Sequence, residues 1–249
     1  MLAVSGIFAV SGVALASTPI VGRSAQSGLG APPPRFTYLT NLVTPGYYVG
    51  QYNFVECVGA SIQMMRNMVM DTSNHSSATQ HTLWAVSHYL SKYKADNGAD
   101  PYGWAATLGR EGAGPYRIDA GATVLDTLQA AATAMTLSGR PAGVTVWQGS
   151  HAWVLSGITT TADAGGSAPF SVVRVEVTDP LWTILHHGGG ILAPSTWLSV
   201  AQFAKDFLPY HDPRRDPAIE GRYVAIVPVP TAAELDHLGT GSTFTFGPG

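Results

Sequence analysis

Apolar side chains recur at helical spacing early in the chain. Val58, Ile62, Met65 and Val69 are separated by four, three and four residues, which is the spacing of one face of an α-helix. The pattern predicts a helix over residues 57–70 whose apolar stripe, methionine included, packs into a core.

Similar patterns predict three more helical features. Apolar positions over 79–93 and 122–135 fit one helix each, and 196–207 fits a shorter helix with Ser195 as its N-cap. Residues 94–118 contain several glycines and prolines, so they are predicted to form a long irregular connection.

The pattern changes in the second half of the chain, which is rich in valine and tryptophan. Residues 142–147, 151–158, 170–179 and 221–229 have the composition of β-strands. Helices therefore come first and an antiparallel sheet second, which predicts an α+β fold with segregated halves.

The two ends of the chain differ from this central part. Residues 1–34 begin with an apolar run that ends in Ala14-Leu15-Ala16 and continue as a Ser, Gly and Pro-rich linker. The run resembles a secretory signal peptide, although a buried N-terminal element is an alternative. We expect the folded domain to cover 35–230, residues 231–249 to form a loose tail, and the protein to be secreted or held at the cell surface.

Composition excludes some partners. Only 12% of the 249 residues are charged and the net charge is −3, so no basic surface is available for nucleic acid. The signal-like run is too short to span a membrane, and no second apolar segment is long enough. We expect a monomer.

Cys57 is the only cysteine in the chain, so it cannot form an internal disulfide. It is either a small buried side chain or a reactive thiol. Its place at the start of the predicted 57–70 helix favours the thiolate, because a helix N-terminus stabilises negative charge. Glu56 would oppose ionisation if its carboxylate faced the thiol.

One of the eight histidines stands out. His151 opens the apolar strand 151–158, and in a hairpin symmetric about residue 165 it would lie opposite Asp179. Directly opposed residues share a face, so the carboxylate could orient the imidazole. The alternative is that Asp179 only ends a strand and begins a turn.

Gln51 precedes the cysteine by six residues. Acyl transfer through a thiolate creates an oxyanion that needs hydrogen-bond donors, and this amide and the backbone N–H of Cys57 are candidates. The pair His186-His187 lacks nearby ligands at metal-binding spacing, so we predict no metal and no cofactor.

Taken together, the stretches QYNFVECVGASIQMMRNM, GRPAGVTVWQGSHAWVLSGI and VEVTDPLW resemble the papain-like cysteine peptidases. Within that clan they are most similar to the bacterial branch related to the bacteriocin-leader-processing (C39-like) peptidases. The resemblance implies a papain-like fold, with Cys57 as nucleophile, His151 as general base and acid, Asp179 as orienting residue and Gln51 as oxyanion donor. It also suggests Trp182 as an indole that shields the pair formed by His151 and Asp179.

The resulting expectation is an exported cysteine peptidase or amidase that acts on a peptide or protein. Acyl transfer to an amine would use the same residues. The alternative from another class is a papain-fold binding or surface module without catalysis.

Overall fold

The computed structural model of the chain describes residues 37–94, 97–185 and 191–236. The signal-like segment, its linker and the pair His186-His187 lie outside these ranges. The helices are α1 Cys57–Met70, α2 Ser77–Leu90, α3 Pro101–Arg110, α4 Val124–Ser138, α5 Trp182–Leu185, α6 Val200–Phe203 and α7 Ala232–Asp236. None of the helices in these ranges is both long and apolar enough to cross a membrane.

The strands form one antiparallel sheet in the order β2-β7-β3-β4-β5-β6, with β1 paired to the far end of β4. They are β1 Tyr38–Asn41, β2 Tyr116–Gly121, β3 Ala142–Val146, β4 His151–Thr160, β5 Val172–Thr178, β6 Thr196–Ser199 and β7 Tyr223–Pro228. A helical N-terminal half against a C-terminal antiparallel sheet confirms the predicted α+β class.

Helices cover both faces of the sheet, which explains why its central strands are almost wholly apolar. The first cluster of buried residues joins α1, α2 and α3 to Ala152 and Val154 of β4. The second joins α4 and α6 to Trp153 and Leu155 on the opposite face. Successive side chains of a strand point to opposite faces, so both sets on β4 must be apolar.

The predicted helical stripe is confirmed in α1, where Val58, Ile62 and Met65 are buried. Trp153 is fully buried in the core. The helices predicted over 79–93 and 122–135 correspond to α2 and α4, with their ends displaced by two or three residues.

The irregular connection predicted over 94–118 is wrong, because it contains α3 and the start of β2. Asp100 caps α3 by accepting a hydrogen bond from the Gly103 N–H, and Pro101 occupies the first helical position. Proline is favourable there, because the first N–H of a helix has no partner inside the helix. Trp104 and Leu108 then bury one face.

The helix predicted over 196–207 is also only partly correct. Residues 196–199 form β6, and α6 begins after Ser199, which is its N-cap in a capping box with Gln202. Ser195 is not the cap, since its φ of 59° lies in the left-handed region.

The C-terminal segment predicted to be loose begins with α7. Arg140 at the end of α4 contacts the Glu234 carboxylate at 3.0 Å and donates to the Val229 carbonyl at 2.7 Å. The buried guanidinium therefore ties α7 to the body of the domain.

Candidate active site

Cys57 is the first residue of α1 and is partly exposed. The residues that follow it are anchored on β4 through the core, so the N-terminus of α1 is fixed near the start of that strand. The first N–H groups of a helix have no intrahelical acceptor and favour negative charge. The thiol therefore stands at the positive end of the α1 dipole.

His151, the first residue of β4, meets Asp179 directly after β5. Its Nε2 lies 2.8 Å from Asp179 Oδ1, and both side chains are buried. Oδ1 also accepts from the Leu181 N–H at 2.8 Å, which fixes the carboxylate. Among the described residues, Asp179 Oδ2 has no hydrogen-bond partner.

The predicted hairpin register is wrong by two residues at this end. Val154 pairs with Thr178 and Leu155 with Val177, whereas symmetry about residue 165 would pair Val154 with residue 176. An even displacement keeps each side chain on its face. Asp179 is therefore a diagonal instead of a direct neighbour of His151, still within reach of a side-chain contact.

Cys57 and His151 line the same small cavity, and the thiol is one of the groups that raise the pKa of His151. Since Nε2 faces Asp179, the other nitrogen, Nδ1, is left for the sulfur. Burial by itself lowers the pKa of His151, but the interactions with Asp179 and Cys57 outweigh it and raise that pKa to about 9. The structure thus brings thiol, imidazole and carboxylate into one row.

An indole covers the imidazole from one side. The Trp147 ring stacks on His151 with centroids 4.9 Å apart and planes 19° apart. Asp206 holds Trp147 twice, accepting from its backbone N–H at 2.8 Å and from its indole N–H at 2.9 Å. The resemblance suggested Trp182 for such a role; Trp182 is the first residue of α5, three residues after Asp179.

The backbone that carries this indole is unusual. Trp147, Gln148 and Gly149 form a 3-10 turn between β3 and β4, with φ values of 51°, 60° and 92°. Bulky side chains rarely adopt positive φ, and such strain persists only where surrounding contacts fix it. The two hydrogen bonds that Trp147 donates to Asp206, and a third from the His211 N–H to the Gln148 carbonyl, supply that constraint.

Glu56 does not present its carboxylate to the thiol. Its Oε1 lies 2.8 Å from Nδ1 of His81 on α2, and the Glu56 side chain is buried while His81 is 65% exposed. The negative charge is therefore directed to a partner on the neighbouring helix.

Gln51 is buried in the loop before α1. Its backbone N–H donates to the Pro180 carbonyl at 2.8 Å, which places the residue beside the Asp179 segment. Its Nε2 donates to the Asn53 carbonyl at 2.7 Å. An amide nitrogen carries two hydrogens, so this bond uses one of them.

Three side chains of α2 hold the two loops that flank Cys57. Gln80 accepts from the Tyr52 N–H at 2.9 Å and donates to the Gly50 carbonyl at 3.0 Å. Trp84 donates to the Asn97 carbonyl at 3.1 Å, and His88 Nδ1 lies 2.7 Å from the Gly98 carbonyl. These anchors follow one another at four-residue intervals, so they share one side of the helix.

The thiol and imidazole open onto a narrow cavity of about 70 Å³. Gly98, Ser150 and Tyr210 contribute to its walls. A Cβ on Gly149 would lie 2.4 Å from the Tyr210 ring, so a side chain there would push this wall outward. A second, polar pocket of about 260 Å³ shares Tyr210 and Gly149 with the cavity.

Sequence reasoning missed Trp147, Asp206 and the α2 anchors. The stacking partner lies four residues before His151 in a turn whose conformation has no sequence signature except Gly149. Gln80, Trp84 and His88 do have a detectable signal, since their spacing marks one helix face. In the residues that the structure describes, no group of three or more His, Cys, Asp or Glu side chains could hold a metal ion.

Comparisons with known proteins give little further information. No protein-family model matches the chain, and no curated protein matches it. Among solved structures it is similar to the crystal structure of UfSP from C. elegans, with 14% identity and a TM-score of 0.44. The alignment covers 78% of this chain and 34% of that one, so the chain spans about a third of its length.

Proposed function

We propose that the protein is a papain-like cysteine peptidase or amidase that forms an acyl-enzyme on Cys57. The observation that carries this proposal is the row of thiol, imidazole and buried carboxylate formed by Cys57, His151 and Asp179. A nucleophile next to a base that is itself oriented by a third group is the arrangement that covalent catalysis requires.

In the proposed reaction the Cys57 thiolate attacks the carbonyl carbon of an amide. The C–N bond then breaks as the His151 imidazolium donates its proton to the leaving amine. Water, deprotonated by the now neutral imidazole, attacks the acyl-enzyme; the C–S bond breaks, the acid is released, and the thiolate and imidazolium are regenerated. Asp179 holds the ring and stabilises its charged form throughout.

The tetrahedral intermediate carries an oxyanion that needs donors. We assign the backbone N–H of Cys57 and the second Nε2 hydrogen of Gln51 to this role, because Gln51 is buried and its loop leads directly into α1. This assignment follows the sequence resemblance.

The same resemblance supports two finer proposals. We propose that the chain belongs to the bacterial C39-like branch, and that it acts outside the cytoplasm on a peptide or protein after removal of residues 1–16. Determining the N-terminal residue of the protein recovered from its native host tests the second: a start at residue 17 supports export, and an intact Met1 contradicts it.

Alkylation of Cys57 tests the proposed function directly, since Cys57 is the only thiol in the chain. We expect iodoacetamide at pH 7 to label the folded protein at least about tenfold faster than the urea-unfolded chain, in which the thiol has its ordinary pKa of about 8.5. Intact-mass measurement gives both rates. A folded protein that labels more slowly would mean that Cys57 is structural, as in a non-catalytic module.

Turnover of a casein-derived peptide mixture tests the roles of the individual residues. Cys57→Ala should remove hydrolysis, whereas Asp179→Ala should lower kcat on the order of a hundredfold and leave residual activity, because the carboxylate orients but does not attack. Unchanged kcat in Asp179→Ala would exclude Asp179 from the site.

A further inference from the structure

The loop that leads into α1 exposes three apolar side chains close to Cys57. Tyr52, Phe54 and Val55 are 54%, 68% and 37% exposed, and we call them the 52–55 platform. Phe54 is three residues from Cys57, so the chain between them spans at most about 11 Å. Clustered apolar exposure of this kind marks binding surfaces.

Hydrogen bonds fix the platform in its exposed position. The Tyr52 N–H is bound by the buried Gln80, and the Tyr52 hydroxyl donates to the His75 carbonyl at 2.7 Å. Asn53 accepts from the Val55 N–H at 3.0 Å and from the Gln51 amide. The loop backbone thus has partners inside the protein, and the outward direction of Phe54 is built into the loop.

Tyr52 also forms the rim of a groove of about 430 Å³. Val49, Tyr48 and Ile184 line it together with Gln51, and none of its eight lining residues is Asp, Glu, Lys or Arg. A groove of this size accommodates an apolar side chain. His75 also lines it, and its Nε2 lies 2.8 Å from the Gly46 carbonyl, so this ring nitrogen is engaged within the protein.

The groove adjoins the catalytic row through two residues. Gln51, which lines the groove, is bonded through its N–H to the Pro180 carbonyl, next to Asp179. The Tyr48 hydroxyl, on the same wall, approaches the Asp179 carbonyl at 3.4 Å. Tyr52 is therefore common to the platform and the groove, and the groove wall is joined through Gln51 and Tyr48 to the segment that carries Asp179.

We propose that the 52–55 platform and this groove bind an apolar or aromatic side chain of the polypeptide substrate, within about three to five residues of the bond that Cys57 attacks. The proposal rests on the proposed function. It assigns Phe54 and Ile184 as specificity-determining residues. The chain distances support it, because an extended substrate advances about 3.3 Å per residue and so reaches Phe54 or Tyr52 within that number of residues.

The test uses alkylating probes, because no substrate needs to be known and Cys57 is the only thiol in the chain. The probes are iodoacetamide, N-(4-phenylbutyl)iodoacetamide and the acidic N-iodoacetyl-β-alanine, each normalised to its rate with 2-mercaptoethanol. We expect the phenylbutyl probe to label the wild-type protein at least about fivefold faster than iodoacetamide, the factor equivalent to about 1 kcal/mol at a contact residue. The acidic probe should label the protein no faster than iodoacetamide does.

Phe54→Ser and Ile184→Ser should each reduce this preference toward unity. Tyr89→Ser is the matched control, because Tyr89 is 67% exposed on α2 and is not part of the platform or groove. It should retain the full preference. Circular dichroism of each variant confirms that it is folded, and use of two variants on separate elements protects the test against failure of either to fold.

The outcomes separate this inference from the proposed function. Rapid labelling by iodoacetamide without a phenylbutyl preference, or with a preference that survives both substitutions, overturns the inference alone. Slow labelling by every probe overturns the proposed function and this inference with it. A wild-type dimer that becomes monomeric in Phe54→Ser shows that a second copy covers the platform, which also overturns the inference.

Discussion

The chemistry of the site depends on the charge of one residue, His151. Burial of an imidazole favours its neutral form, yet here the interactions with Asp179 and Cys57 prevail and hold the pKa of His151 at about 9. The ring therefore carries its proton at neutral pH. An imidazolium beside the thiol favours the thiolate, and the same proton is available for a leaving amine.

The alkylation rate should report this pairing through its pH dependence. For an ordinary thiol the rate rises tenfold per pH unit up to about pH 8.5, because only the thiolate reacts. We expect the wild-type rate with iodoacetamide to change little between about pH 6.5 and 8.5. In His151→Gln the ordinary slope should return, and a wild-type slope of tenfold per unit would contradict the ion pair.

At the scale of elements, the turn between β3 and β4 does more than connect two strands. Three successive residues with positive φ aim the Trp147 indole at His151. Asp206, the last residue of the turn that ends α6, accepts a hydrogen bond from the indole N–H. The imidazolium lies against the π-face of an indole, which attracts a cation by about 0.5–2 kcal/mol. Trp147 is thus a positioning residue whose contribution is partly electrostatic.

Removing the indole should lower the pKa of His151 as well as disturb its position. In Trp147→Ala we expect kcat/KM to fall about tenfold and its basic limb, near pH 9 in the wild type, to move down by roughly half a unit or more. Trp147→Phe should restore part of both effects, because it retains an aromatic face. A lower kcat/KM with an unchanged basic limb would show that Trp147 contributes only packing.

At the scale of the whole molecule, the core contains a carboxyl group that the proposed reaction does not use. Glu176 on β5 is buried opposite Trp197, on the face away from Val175 and Val177. Burial raises the pKa of Glu176 above its ordinary value, and nearby hydroxyls of Ser156 and Ser195 only partly offset this. The folded protein therefore binds the proton more tightly than the unfolded chain does.

The consequence is a stability that declines with pH. The contribution of Glu176 is fully present below its unfolded pKa of about 4.3 and is lost as pH rises through the higher folded value. Glu176→Gln should therefore be more stable than the wild type at pH 7.5, on the order of 1 kcal/mol, and no more stable at pH 4. Urea unfolding at both pH values measures this.

The control for that comparison is Glu111→Gln, a partly exposed carboxyl whose ion contact with Arg110 is 4.0 Å long. It should change stability little at either pH. If Glu176→Gln is less stable than the wild type at pH 7.5, the Glu176 carboxylate is charged and hydrogen-bonded in the native state. The conclusion that its burial costs stability would then be wrong.

Much of this architecture could be predicted from sequence, because burying one face of a helix or strand imposes a regular spacing on its apolar residues. The stripe that begins at Val58 identified α1 and with it the location of Cys57. The contact of His151 with Asp179 was predicted from hairpin pairing, and it survives a register error because the displacement is even.

The register of the hairpin, helix α3 and the stacking of Trp147 could not be predicted from the local sequence patterns that were used. The register error arises at the connection, because the pairs Thr160–Val172 and Val154–Thr178 centre the hairpin on residue 166 instead of 165; the two irregularities along the ladder cancel each other. The glycines of 94–118 suggested a loop, although Asp100 and Pro101 are a favourable helix start. The stacking of Trp147 depends on Asp206, fifty-nine residues further along the chain.

The anchors on α2 constrain how related chains can vary. Gln80 holds the loop before the nucleophile and His88 holds the loop after α2. The two helical turns between Gln80 and His88 therefore set the distance between the two loops. Inserting one residue there would rotate the later anchors by about 100° and detach Gly98 from the helix. Exposed positions such as Thr82 and Ala85 can therefore be substituted in related chains. Related chains that keep both anchored loops should have no insertion or deletion between residues 80 and 88.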